Sequence, residues 1–414
     1  MTKKKNLVMA QANSYIAKIE GHGSLKVDFK KKKVKLIVHE GERLFEGILC
    51  GRTLEEMQWI TPRICGVCPI AHNLASLAAA EAALGITVTR TTGLLRRLMQ
   101  IGQNTQSHVL HAVFLALPDY IGIDNITELH KADPKKFALA LSLKETGDEI
   151  AMVVAGRNVH PTRSTVGGFH KVPTRGELLT LRDMIERAVP DARALAEFFA
   201  GLDYPKLDLD LEFLLQDGMR VKSSHGEDFA LADYKEYIAE EVRGESTAKF
   251  GSLKGRPIMV GSLARLFFVA DAANGKTDKE GSADVAALIG KINFKNPFHN
   301  NLAQAVEMFM ELKDGVEVID ELLKEGVDDK LIKADKDAPL KGIGAIEAPR
   351  GGLYNEVHIR KDGTIKYANI ITPTVQNLTS IEYTATALLK EHHGKSEEEL
   401  SHLLEMLVRA YDPC

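Results

Sequence analysis

The chain has 414 residues, 44% of them hydrophobic and 27% charged, with a net charge of −4. This composition is that of a water-soluble globular protein with a large core, and its charge balance excludes nucleic acid as a partner. Four cysteines, at 50, 65, 68 and 414, are too few for a disulfide framework at this length and suit a reducing compartment. No apolar run approaches the roughly 18 residues of a membrane span, and no apolar signal core follows the basic start Met1 to Asn6.

Residues 15–40 read as a β-hairpin, with Leu25, Val27 and Phe29 alternating outward, lysines 30–33 turning, and Val34, Leu36 and Val38 alternating back. At its mouth stands Ile19-Glu20-Gly21-His22, whose carboxylate is either a reachable proton carrier or a plain surface acid. Phe45-Glu46-Gly47 and a short helix over 54–60 come next, and Cys50, with no nearby partner, reads as a small apolar filler. Then comes Arg63-Ile64-Cys65-Gly66-Val67-Cys68-Pro69-Ile70-Ala71-His72. Two residues separate the thiols, and Gly66 lets the backbone bend so that both can face one metal ion. Such a pair alone also serves zinc, redox and iron–sulfur sites.

An alanine-rich helix spans Leu74 to Leu84, closed by Gly85, and a long one spans Thr92 to Leu117. His108 and His111, three apart on the latter, either share a metal or are structural; Leu117-Pro118-Asp119-Tyr120 breaks the helix. A helix over Lys135 to Ala155 leads into a loop through Arg157, His160 and Gly168, and another helix covers Arg175 to Leu202. Residues 203–255 are mixed and charged. Val260-Gly261-Ser262-Leu263-Ala264-Arg265 makes a turn, Pro297 to Lys324 a long helix, and Glu325 to Lys341 a charged surface excursion. In Glu347-Ala348-Pro349-Arg350-Gly351-Gly352, an arginine between a rigid proline and two glycines can be fixed where backbone approaches closely. A strand pair follows, His358 to Arg360 and Lys366 to Ile370, turning at Asp362-Gly363; Ile371-Thr372-Pro373-Thr374 then presents a hydroxyl. The last helix, Ser396 to Arg409, delivers Asp412, Pro413 and Cys414.

Five of these stretches, around Glu20, Glu46, Cys65 to His72, Pro349-Arg350 and Asp412 to Cys414, resemble in content and order the large subunit of nickel–iron hydrogenases. The wording Pro62-Arg63-Ile64 and Arg409-Ala410-Tyr411 is similar to the cytosolic, multi-subunit members. The resemblance implies an α+β, predominantly α fold, with a central bundle of long helices and small β-hairpins. It is expected to form one interwoven domain over 1–414: an N-terminal hairpin (15–40), a helical core (54–324), a small β region (345–375) and a C-terminal helix with the ligand end (396–414).

By the same resemblance, Cys65 and Cys414 would be terminal nickel ligands and Cys68 would bridge nickel to an iron carrying carbon monoxide and cyanide. His72 would hydrogen-bond Cys68. Arg350, presented by Pro349, and Thr374 would donate to the cyanides, while Arg350 and Asp119 would form an electrostatic lid. Glu46 would hold an outer magnesium or iron. H2 would split heterolytically, its proton passing to Cys414 and then Glu20. Electrons would leave through an iron–sulfur small subunit docked near Arg157 and His160, since four cysteines cannot hold both this centre and a cluster chain. Further electron-transfer subunits, maturation proteins and a cytoplasmic location complete the expectation.

The family's usual ending, Asp-Pro-Cys-x-x-Cys-x-x-His, is present here only as far as Cys414. The missing thiolate and histidine are therefore expected from a longer chain or a separate peptide. The rival expectations are a coupling scaffold, like the related quinone-reductase subunit of respiratory complex I, and a zinc-stabilised scaffold.

Overall fold

Small residues decide how the long helices of this chain approach one another. In the computed structural model, which describes residues 11–414 except 40, 125, 276–282, 329 and 336, the helices Arg90–His108 and Pro134–Ala155 cross where Gly102 faces Gly147. A methyl group on Gly147 would lie 2.8 Å from the Gln106 nitrogen and 2.9 Å from the Gly102 oxygen, so the two backbones touch. Arg175–Ala200 and Asn300–Glu325 pack alongside, and a methyl on Gly315 would meet both Ile101 and Ile185. Fully buried Leu95, Leu98, Ile101, Ile185 and Leu312 form the core between them. No single described helix is long and apolar enough to cross a membrane.

The fold is predominantly α with small separate antiparallel sheets, an α+β arrangement. Three strands, Gln11–Tyr15, Gly23–Asp28 and Lys33–Val38, form the N-terminal sheet, so the hairpin read from the sequence has an additional strand at its edge. Further small sheets occupy 214–253, the stretch whose mixed composition gave no pattern. Another three-stranded sheet runs Lys341–Ala348, Gly351–Ile359, Ile365–Ile371. Its first two strands pair from Lys341↔His358 to Ala348↔Gly351, leaving Pro349 and Arg350 as a two-residue hairpin tip. Gly351, at φ 128°, takes the backbone out of that tip as residues with a Cβ rarely can.

This sheet rests directly on the helix Pro69–Ala83. Methyl groups on Gly342 and Gly344 would stand 2.0 Å and 2.2 Å from the Ala79 oxygen and nitrogen, so glycine strand and alanine helix meet backbone to backbone. The contact sets the cysteine loop at the N-terminus of that helix against the Arg350 tip.

Two expectations are corrected. Pro118 does not break the Arg90–His108 helix: a π-helical stretch, Val109–Ala116, continues it into Leu117–Ile121, which ends at Gly122 in a left-handed turn. Widening the helix there accommodates a residue that has no N–H to give. Cys50 is exposed, its thiol facing the Glu46 carbonyl, and fills no core position. The basic residues Lys3 to Lys5 lie outside the described residues.

Candidate metal centre

Cys65 leaves a short helical turn, Thr61–Ile64, in extended backbone, and Pro69 opens the next helix, so the two cysteines bracket a tight loop. The loop wraps the first sulfur: the N–H groups of Val67 and Cys68 donate to the Cys65 Sγ at 3.4 and 3.3 Å. Gln103 pins the loop to the Arg90–His108 helix, accepting from the Ile70 N–H at 2.8 Å and donating to the Val67 carbonyl at 2.6 Å. From the other end of the chain, Glu397–Ala410 starts with a capping box between Ser396 and Glu399 and delivers Cys414. Its backbone N–H donates to the Thr374 hydroxyl at 2.9 Å. The sulfurs of Cys65, Cys68 and Cys414 lie within 4.8 Å of one another, with Cys68 and Cys414 at 3.6 Å. Cys65 and Cys414 are joined as a disulfide, the oxidised alternative to two separate thiolates, and Cys68 is free.

Arg350 stands beside the cluster, 4% exposed. Its Nε donates to the Asp412 carbonyl and its Nη2 to the Asp412 carboxylate, each at 2.8 Å; Nη1 donates to Ser107 Oγ at 3.0 Å. Burial pushes the Cys68 thiol up to about 12, partly opposed by the Arg350 guanidinium. Thiolate at this position therefore needs more positive charge than Arg350 alone provides. His72 lines the same cavity, its Nδ1 buried without a partner, and burial lowers it to about 4. No hydrogen bond from its ring to Cys68 is found among the described residues. Glu20 overhangs the loop, its carboxylate 3.4 Å from where a methyl on Gly66 would stand. Three soft sulfurs in a dry pocket, an orphaned imidazole nitrogen and a buried guanidinium fit a nickel–iron centre.

Asp119 lies elsewhere. Its carboxylate accepts from Arg409 Nε at 2.6 Å and Lys18 Nζ at 3.3 Å, and the acid that faces Arg350 is Asp412. Asp412, with φ 52°, also accepts from Gln304 Nε2 at 2.8 Å, while His111 bonds Gln304 at 2.6 Å and the Arg409 carbonyl at 2.6 Å. His108 bonds Glu307 at 2.8 Å. Both histidines are thus structural, and His111 holds the turn that carries Asp412. Ser107 and Gln304 escaped the sequence reading, and Asp412 was named there without its partner Arg350; the unbroken run of six polar residues from Gln103 to His108 was the available signal for Ser107.

Glu46 sits on Arg43–Leu49. It accepts from Lys249 Nζ at 2.6 Å, the Ile370 N–H at 2.7 Å and Asn369 at 3.2 Å. The Lys249 ammonium also meets the Ile370 carbonyl at 3.1 Å, Glu240 at 2.5 Å and Glu42 at 3.7 Å. Burial lifts Glu42 to about 7 against the pull of Lys249, and the oxygen that faces Lys249 accepts no hydrogen bond. Glu46, Glu240, Glu42 and the Ile370 carbonyl all face the Lys249 ammonium, so this oxygen cluster is neutralised by a lysine and would take a hard cation only with that ammonium displaced.

Three cysteine sulfurs brought together from both ends of a predominantly helical chain are the donor set of a soft-metal site. The sequence profile of nickel-dependent hydrogenases matches residues 43–146. The alpha subunit of sulfhydrogenase 1 from Pyrococcus furiosus is 35% identical over 99% of this chain and 97% of its own length. The beta subunit of the NAD-reducing hydrogenase HoxS from Cupriavidus necator is 27% identical over 96% of this chain and 92% of its own. The crystal structure of an NAD+-reducing [NiFe]-hydrogenase in the H2-reduced state superposes with a TM-score of 0.82, at 26% identity and 98% coverage of both chains. The chain belongs to the nickel-dependent hydrogenase family, among its large subunits.

Proposed function

We propose that this chain is the catalytic subunit of a nickel–iron hydrogenase that cleaves H2 reversibly into protons and electrons. The observation that carries this reading is the convergence of Cys65, Cys68 and Cys414 within 4.8 Å beside buried Arg350. Bound to the three sulfurs, with carbon monoxide and cyanide on the iron, a nickel–iron centre supplies heterolytic H2 chemistry. The chain's own residues do the rest. Cys65 and Cys414 would hold the nickel and Cys68 would hold the nickel and iron together, each through its sulfur. Arg350 and the Thr374 hydroxyl offer donors to the anionic ligands, which a dry site requires. Cys414 Sγ, less buried than its partners, accepts the proton, and the Glu20 carboxylate over Gly66 carries it outward. Asp412 fixes Arg350, while Asp119 acts through Arg409.

Glu46 would hold an outer magnesium or iron only where that cation displaces the Lys249 ammonium. Electrons pass to an iron–sulfur small subunit, docked at the loop of Arg157 and His160, and on to further subunits. The named relatives are subunits of larger hydrogenases, in keeping with a cytoplasmic multi-subunit complex served by maturation proteins.

The test is infrared spectroscopy and metal analysis of the native complex, alongside H2-dependent dye reduction. Carbonyl and cyanide bands with about one nickel per chain are expected. Zinc or no metal, no bands and no turnover would leave a coupling scaffold built on the hydrogenase fold.

A further inference from the structure

We propose that Arg265 is a positioning residue for the metal centre: it grips the backbone of the Pro349-Arg350 hairpin tip and so aims the Arg350 guanidinium at the cysteines. The proposal rests on the hydrogenase reading above and names a residue that makes no contact with the cysteines.

Arg265 lies on the helix Ser262–Gly275. Its side chain is 11% exposed and every nitrogen is used. Nη1 donates to Glu347 Oε2 at 2.8 Å and the Ala348 carbonyl at 2.9 Å. Nη2 donates to the Pro349 carbonyl at 2.8 Å, to Glu307 at 2.6 Å and to Ser262 Oγ at 3.2 Å, and Nε completes a bidentate pair with Glu307. Two of these acceptors are the consecutive main-chain carbonyls that lead into Arg350. The tip has little other freedom: a methyl on Gly261 would meet the Arg350 carbonyl at 3.1 Å, and one on Gly351 would meet Val260 at 2.5 Å.

The contacts close a circuit. Arg265 holds the Pro349 carbonyl, and Arg350 follows in the chain. Arg350 donates to Ser107. His108, the next residue, bonds Glu307 at 2.8 Å, and Glu307 returns to Arg265, with Ser262 donating to it at 2.6 Å. Arg350 is thereby fixed at its backbone by one arginine and at its side chain by the helix that orients that arginine's counter-ion. Only a planar fork with five N–H donors can bind a carboxylate edge and two carbonyls at once; a lysine at 265 would keep the charge and lose one or both carbonyls.

The test compares Arg265→Lys, Arg265→Gln, Arg350→Gln and the double variant Arg265→Gln/Arg350→Gln in the intact complex, with H2 oxidation expressed per bound nickel. R265K and R265Q are expected to lose about tenfold or more in kcat, a loss of about 1.4 kcal/mol per factor of ten. Their infrared bands should shift in the same direction as those of R350Q. Adding R265Q to R350Q should cost nothing further, because the effect passes through Arg350. Hydrogen exchange in the metal-free chain should quicken at residues 347–352 in R265K. Wild-type rates per nickel, additive losses in the double variant, or unchanged exchange at 347–352 would each overturn the proposal. Should the wild-type complex hold no nickel, it is the hydrogenase reading that falls, and hydrogen exchange still decides whether Arg265 holds the tip.

Discussion

Arg350 and Asp412 are a buried ion pair, each under 5% exposed, so each charge depends on the other. Removing one partner of such a pair costs about 3–5 kcal/mol, because the remaining charge stays buried unpaired. Asp412→Asn is therefore expected to lower stability by about that amount in denaturant unfolding. Arg350→Lys keeps a charge but cannot reach Ser107 and both Asp412 oxygens, and H2 turnover should fall about 100-fold, as for other preorganised donors. A second prediction concerns Glu311, which burial and the neighbouring Glu307 raise from 4.5 to about 8. Its folded pKa exceeds its unfolded value, so its contribution is fully present below about 4.5 and is lost as pH rises through 8. Glu311→Gln, which preserves the Asn104 hydrogen bond, should match wild type in melting temperature at pH 5 and exceed it at pH 9. At this scale the sequence was legible where function sits in a contiguous motif, as with Cys65, Cys68 and Arg350. It was not where a role depends on pairing across the chain. Asp119 and Asp412 are both acids beside turns, and only the fold reveals that the former meets Arg409 and the latter Arg350.

At the scale of elements, two glycines with opposite surroundings give opposed expectations. Gly344→Ala drives a methyl to 2.2 Å from the Ala79 backbone nitrogen, so the strand must lift off the helix that begins with the cysteine loop. A loss of about 1–3 kcal/mol, the range of core overpacking, should appear in thermal unfolding together with weaker nickel retention. Gly47 lies inside Arg43–Leu49 with nothing within 4 Å of its added methyl, and Gly47→Ala should stabilise by up to about 1 kcal/mol. Helix starts such as Ser396 with Glu399 were readable because a capping box is local. The π-helical Val109–Ala116 was not readable, because Pro118 signals only that a hydrogen bond is missing, and the packing around the helix decides whether it ends or widens. The strands over 214–253 lack alternation long enough to register in the sequence.

At the scale of the molecule, Cys65 and Cys414 lie 349 residues apart and meet at one point, so the fold must close before the site exists. The two states of that closure are chemically distinct and can be counted. In the metal-free oxidised chain the thiols of Cys50 and Cys68 are free, and only Cys50 is exposed. A thiol reagent should therefore find one reactive group in the native chain, two after denaturation, and four once the disulfide is reduced. In the metal-loaded chain the native count should again be one, but denaturation with a chelator should release all four without any reductant, because thiolates held by metal were never oxidised. Two thiols under those conditions would mean that the disulfide persists beside the metal and that Cys65 and Cys414 are not its ligands. Four would show that Cys65 and Cys414 are unoxidised in the metal-loaded chain, as ligands of the centre must be.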